Sequence, residues 1–214
     1  MGKPYQIRKG RPGQMDKKQQ AEIRKERMKY KVILGDCPWH YSDTRHGNTD
    51  YNALQYPTMR TDELCALPVK DIADKDCMLF MWTTGPMIKD CIKIMESWGF
   101  KFKTVAFVWV KLYEKTKQPV ALMGQYTMSS CEFVLVGTNG KRNRVSKSVK
   151  QIVQTVRQGH SVKPTEVHKR IEELCGDVPR IELFARDTVP GWTCLGNGID
   201  GKDIRESLEE ERSK

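Results

Sequence analysis

The chain has no run of 18 apolar residues, no apolar signal segment behind its basic N-terminus and no lipidation motif at either end. Nothing in it therefore reads as a membrane span or anchor, and no membrane partner is expected. It also lacks any C-x-x-C pair: its seven cysteines, at 37, 65, 77, 91, 131, 175 and 194, are odd in number and scattered. That pattern argues for reduced thiols and against a disulfide framework or a zinc site. Histidine is scarce. His160 and His168 are eight apart and neither pairs with a cysteine or carboxylate at ligand spacing, so no metal is expected. Neither G-x-x-x-x-G-K-[ST] nor G-x-G-x-x-G occurs, which leaves nucleoside triphosphate and dinucleotide chemistry without support.

What is abundant is positive charge, and it is unevenly placed. The formal net charge is +10, and residues 1–31 hold eleven Lys/Arg against three acids. Such a segment is either a contact arm for phosphates, with salt-sensitive affinity, or a solvated extension that is partly helical over Asp16 to Tyr30. The 214 residues suffice for one domain with a substantial core. The composition divides them into a basic extension over 1–30, one folded domain over 31–205 and a charged C-terminal tail over 206–214.

Along the folded part, Lys31-Val32-Ile33-Leu34-Gly35 reads as a short strand, and His40 to Gln55 as a loop long enough to be a flap. Thr61-Asp62-Glu63-Leu64 looks like a helix start with Thr61 as N-cap. Cys77 to Trp82 is a continuous apolar run expected as a strand buried on both faces. Met87, Cys91, Met95 and Trp98 follow at helical spacing, marking a core-facing helix that Gly99 ends. Strands are expected at Thr104 to Val110, Cys131 to Val136 and Arg180 to Ala185, with a helix from Thr165 to Cys175. Alternating strands and helices argue for an α/β fold: an open, mostly parallel sheet with helices on both faces. Ligands in such sheets bind at the carboxyl ends of the strands, where Asp36 and Arg186 both fall. The segment Gly137 to Gln151 carries Lys141, Arg142, Arg144, Lys147 and Lys150. It is either an ordinary exposed loop or, if it leaves the same edge as the site, a grip on a phosphate backbone.

The residues with the clearest chemistry are Asp36-Cys37-Pro38-Trp39, directly after the first strand. The amine of adenine is a poor nucleophile because its lone pair is delocalised into the ring. One acceptor on each N–H, the Asp36 carboxylate and the carbonyl of Cys37, would return that density to nitrogen. Pro38 keeps residue 37 extended, and Trp39 would lie over the base. The competing interpretation is an aspartate at a turn followed by a core tryptophan.

These residues form part of an ordered series. Asp36-Cys37-Pro38-Trp39 precedes Tyr56-Pro57-Thr58-Met59, Phe80-Met81-Trp82-Thr83-Thr84-Gly85, Trp109-Val110-Lys111 and Glu132 to Gly137. Then come His160-Ser161-Val162-Lys163-Pro164 with Glu166, Ile181 to Arg186, and Gly191-Trp192 with Leu195-Gly196-Asn197. The series resembles the MT-A70 family of S-adenosylmethionine-dependent adenine N(6)-methyltransferases over Lys31 to Gly201. The resemblance implies a Rossmann-like methyltransferase fold, with the catalytic motif early and part of the cofactor site late in the chain. It implies catalytic roles for Asp36, Cys37, Pro38 and Trp39, and an S-adenosylmethionine site made by Asp36, Lys163, Arg186 and Asn197. Lys163 as a solvated side chain before a helix, and Arg186 as a capping cation, are the plainer alternatives. The implied partner is nucleic acid, DNA before RNA, and paired subunits in the family make a homo- or heterodimer an expectation. The implied location is cytoplasmic in a bacterial or phage setting, and nuclear in a eukaryote.

Two departures stand out. Cys37 replaces the family's usual proline, which adds an N–H and relaxes the backbone. Gly198 stands where Glu or Gln is usual. Two rival functions follow: a non-catalytic nucleic-acid-binding partner subunit, or a pyrimidine carbon methyltransferase using Cys37 as nucleophile, which would need an activated thiol.

Overall fold

The computed structural model describes residues 29–41, 57–124, 126–141, 144–158 and 162–214. The basic extension up to residue 28, most of the His40 to Gln55 loop, and Tyr56, Arg142, His160 and Ser161 lie outside the described residues.

In chain order the elements are β1 (Tyr30–Gly35), α1 (Thr61–Cys65), β2 (Ala73–Thr83), α2 (Ile88–Ser97), β3 (Lys101–Leu112), β4 (Cys131–Thr138) and β5 (Ile152–Val156). Then follow α3 (Glu166–Cys175), β6 (Arg180–Leu183), β7 (Thr193–Leu195), α4 (Asn197–Asp200) and α5 (Ile204–Ser213). The seven strands form one sheet in the order β5-β3-β4-β2-β1-β6-β7. Pairs β1–β2, β1–β6, β6–β7 and β3–β5 are parallel; β4 runs antiparallel to both β2 and β3. The mostly parallel α/β sheet expected from the sequence is therefore mixed around β4. The reason is local: a hairpin, not a helix, joins β3 to β4, and a hairpin returns the chain antiparallel.

Alternation along the strands divides the core in two. Ile33, Leu79, Met81, Leu135, Ile181 and Leu183 face α1, α2 and α5, while Val32, Leu34, Phe80, Trp82, Phe107 and Val134 face α3. Leu79, Phe80, Met81 and Trp82 are at most 1 % exposed, as a strand covered on both faces requires. Burying each such side chain contributes roughly 1.5–3 kcal/mol. In α2 the helical stripe points inward through Cys91, Ile94 and Met95, with Trp98 just beyond it. Trp98 Nε1 donates to the Leu64 carbonyl at 2.8 Å, a second bond to an acceptor that also takes the Leu67 N–H at 3.2 Å, and so ties α2 to the end of α1.

Two local expectations change. The N-cap of α1 is Arg60, whose N–H donates to Glu63 at 2.9 Å, while the Thr61 hydroxyl donates to Asp90 at 3.1 Å. Residues 206–213 belong to α5, so the boundary drawn at 205 falls inside a helix. Ile204, Ser207, Leu208 and Glu211 are buried along one stripe of that helix. The buried Glu211 carboxylate accepts from Tyr30 Oη at 2.6 Å and from Lys214 Nζ at 2.7 Å. High charge density on the outer face hid a narrow apolar face.

Candidate active site

The strand order brings the sequence motifs to one edge. Gly35, the last residue of β1, lies between Met81 of β2 and Leu183 of β6, and Leu183 pairs in turn with Leu195 of β7. Asp36, Thr84, Phe184 and Gly196 therefore leave the sheet side by side, as the switch in connectivity around β1 predicts. Because β4 is reversed, its first residues, Cys131 and Glu132, arrive at this edge beside Val110 and Trp109 of β3.

A cavity of about 920 Å³ opens there, lined among others by Asp36, Cys37, Pro38, Trp39, Lys163 and Glu132. Phe184, Arg186 and Asn197 also line it. A smaller one of about 300 Å³, bordered by Trp109, Thr155 and His168, shares Asp36, Lys163, Phe184 and Arg186 with it. All seven residues expected in the catalytic and cofactor sets, Asp36, Cys37, Pro38, Trp39, Lys163, Arg186 and Asn197, line the larger cavity, with Arg186 and Asn197 exposed at its rim.

The site's electrostatic centre is a row of four charges. Lys163 Nζ donates to Asp36 Oδ1 at 3.0 Å and Oδ2 at 2.8 Å, and lies 3.4 Å from Glu132 Oε2. Lys111 Nζ holds the other Glu132 oxygen. The four side chains are only 15–18 % exposed. Beneath them Trp82 and Trp109 meet edge to face, with ring centroids 5.9 Å apart. Lys111 Nζ lies 4.9 Å from the Trp109 ring and Lys163 Nζ 5.4 Å from the Trp82 ring, each a cation held on an aromatic face. Burial works to raise the Glu132 carboxyl, but the Lys163 and Lys111 ammonium groups outweigh it and hold the carboxyl below its ordinary range. Burial likewise works to lower Lys163, and Asp36 and Glu132 overcome it, keeping the ammonium charged beyond its ordinary range. Glu132 and Lys111 stood inside recognised motifs without a role. Only the pairing of β3 with reversed β4 shows that they orient Lys163.

The Asp36-Cys37-Pro38-Trp39 turn is closed by the Trp39 N–H donating to the Cys37 carbonyl at 2.9 Å, a three-residue turn centred on Pro38. The Pro38 carbonyl accepts from the Met59 N–H at 2.8 Å. The Cys37 carbonyl keeps its second lone pair for another donor. Trp39 is 6 % exposed, so its ring is fixed by packing while still lining the cavity. The Cys37 side chain points into the core at 3 % exposure, and burial pushes its thiol well above the usual value. That is the opposite of the activation a nucleophilic cysteine requires. At the end of β6, Phe184 adopts φ 63°, a left-handed conformation that is costly for a bulky residue and that clusters at functional sites. Gly198 packs against Arg186 so closely that a Cβ would lie 2.8 Å from the Arg186 carbonyl oxygen. The Glu or Gln usual in the family has no room here without a backbone shift.

The basic loop does not join the site. β4 ends at Thr138 opposite Met78, near the start of β2, and the Lys141 N–H donates to Asp76 at 2.8 Å. Lys141, Arg144 and Lys147 therefore follow the edge remote from Asp36, and Ser146 and Ser148 tie the loop to Glu173 late in α3. The expectation that this loop leaves the same edge as the site is corrected by the reversal of β4.

Fold and site together are those of the α/β methyltransferase class. More particularly, the chain matches the MT-A70 family over residues 30–198 and belongs to it. It is 40 % identical over 196 residues to the type II methyltransferase M.MunI of a Mycoplasma species, covering 83 % of this chain and 81 % of that one. It is 32 % identical over 181 residues to the N(6)-adenosine-methyltransferase MT-A70-like protein of Drosophila melanogaster, covering 81 % of this chain and 27 % of that one. With human METTL3, the N(6)-adenosine-methyltransferase catalytic subunit, it shares 29 % identity over 178 residues, 81 % of this chain and 29 % of that one. Among the described residues, no helix is long and apolar enough to cross a membrane.

Proposed function

We propose that this chain is a methyltransferase that uses S-adenosylmethionine to methylate the exocyclic amine of adenine in nucleic acid, DNA in preference to RNA. The observation that carries the reading is the Asp36-Cys37-Pro38-Trp39 turn, set on the wall of a large cavity beside a buried cation, Lys163. Likeness to M.MunI, greater in identity and in the share of the relative matched (81 % against 27 % for the Drosophila protein), favours DNA.

The donor set fits the cofactor. Lys163 suits a carboxylate, Asp36 an ammonium, and Arg186, after β6, and Asn197, the first residue of α4, suit ribose hydroxyls. Bound there, S-adenosylmethionine supplies an electrophilic methyl group. The protein's part is positioning and electrostatics. Trp39 offers a fixed ring for base stacking, worth about 1–3 kcal/mol. Asp36 and the Cys37 carbonyl would accept the two amine N–H groups and raise electron density on nitrogen. Lys163 holds both Asp36 oxygens, and Glu132 in turn fixes Lys163, without occupying every lone pair of the Asp36 carboxylate. Arg186 and Phe184 border both cavities and so link the two chambers of the site.

The test is transfer of tritiated methyl from S-adenosylmethionine to DNA and RNA, with nuclease digestion and mass spectrometry of the nucleosides. N(6)-methyladenine that disappears in Asp36→Ala supports the reading. Methylcytosine as product, or no incorporation by the wild-type chain despite nucleic-acid binding, overturns it.

A further inference from the structure

The hairpin joining β3 to β4 leaves the sheet at the site's own edge, and its surface is unusual. Among the described residues eight large apolar side chains are exposed, and five of them, Tyr113, Leu122, Met123, Tyr126 and Met128, lie on this one connection. Met123 is 93 % exposed and Tyr126 91 %, far beyond what a folded chain leaves bare by chance in one cluster. Leu122 and Met123 also line the large cavity that holds Asp36 and Trp39.

The base of the hairpin is firmly held. The Val120 N–H donates to the Lys111 carbonyl at 2.8 Å and the Ala121 N–H to Tyr113 Oη at 3.2 Å. Val120 is buried, and Leu122 and Ser129 exchange backbone hydrogen bonds at 3.0 and 2.7 Å. Beyond that pair the turn is tight: a Cβ on Gly124 would lie 2.3 Å from the Thr127 carbonyl oxygen. The apolar side chains at the tip are thus carried by a braced support. Basic groups lie on the same connection: Lys115 and Lys117 are exposed beside one acid, Glu114, in the turn closed by the Leu112–Pro119 bridge, and the Arg157 N–H bonds Leu112 at its root.

We propose that this hairpin is a wedge for duplex DNA, in which Met123 and Tyr126 enter the base stack and fill the space left by the adenine that rotates into the cavity. The inference rests on the function proposed above. An adenine in a duplex cannot reach Asp36 while stacked, and unstacking is costly. Apolar side chains can enter between base steps; here they would fill the gap the rotated adenine leaves and so offset part of that cost, and the lysines on the same connection match the phosphate backbone. The wedge acts only on paired DNA, because a single strand presents its bases already unstacked.

The experiment compares initial rates of methyl transfer to genomic DNA, native and heat-denatured, for the full chain and for Tyr126→Ser, Met123→Ser, Tyr126→Phe and Met123→Leu. The readout is the ratio of duplex to single-strand rate. It falls about tenfold or more in the serine variants and is restored by Phe and Leu. Thermal melting verifies that each variant folds, as substitutions at such exposed positions should. An unchanged ratio overturns the wedge, as does equal loss on both substrates, including loss accompanied by a change in oligomeric state, which would assign the hairpin to contact with another chain. A wild-type chain active only on single strands also overturns it. A wild-type chain that methylates adenine in neither substrate overturns the underlying function and the wedge with it.

Discussion

Lys163 and Asp36, 127 residues apart in sequence, are joined by two hydrogen bonds of 3.0 and 2.8 Å. The same ammonium touches Glu132, so one cation holds two carboxylates that would otherwise repel. Lys163→Met leaves both without it. The expected result is loss of methyl transfer together with destabilisation by about 3–5 kcal/mol, the cost of leaving buried charge unpaired. Chemical denaturation and a rate assay on the same sample check it. Adding Glu132→Gln recovers part of the stability and none of the activity.

Glu132 also gives the protein an acid limit. A carboxyl held below its ordinary range in the folded state contributes stability above its unfolded pKa, about 4.3, and that contribution is lost as pH falls through the lower folded value. Melting temperatures measured from neutral pH down to about 3 should therefore fall less steeply for Glu132→Gln than for the wild-type chain, starting from a lower neutral value.

Cys37→Ser should retain methyl transfer within about tenfold, because the group proposed to act there is the carbonyl and the thiol lies in the core. Its cost appears in stability, about 1–3 kcal/mol for a hydroxyl buried at a thiol's place. Thiol-alkylating reagents should leave the rate unchanged under native conditions, since burial raises the Cys37 pKa and hides its sulfur. Rapid inactivation with modification of Cys37 would contradict both points.

The last helix is expected to be structural. Leu208 is fully buried, and Leu208→Ala should cost about 2–5 kcal/mol, measurable by denaturant titration. Its contact with β1 carries a pH signature at the alkaline end. Burial, with Glu211 beside it, pushes Tyr30 up to about 12. A raised folded pKa means stability present below the tyrosine's unfolded value of 10, lost as pH rises through the window to about 12. Tyr30→Phe removes that alkaline dependence.

The sequence made the strands and the helices of the core legible where apolar runs were long or periodic, as at Cys77 to Trp82 and Met87 to Trp98. It made Asp36, Lys163, Arg186 and Asn197 legible through their ordered motifs. Three features escaped it because they depend on pairing. β5 and β7 have only five and three residues, too short for a period to register. The reversal of β4 is a property of its partners, and with it went the placement of the basic loop and the roles of Glu132 and Lys111. In α5 the inward residues are four in a helix of mostly charged neighbours, so composition spoke for solvent where geometry chose the core.

The central place of β1 has a consequence during synthesis. Its partner β2 is translated soon after it, but its other partner, β6, begins at Arg180. Until that residue has left the ribosome, β1 keeps an open hydrogen-bonding edge lined by Val32, Ile33 and Leu34, the kind of edge that recruits stray strands. Closing it also sets Phe184 beside Asp36. The chain thus completes its candidate site and closes this edge in a single late event, so an unfinished chain should be without activity and vulnerable to its neighbours.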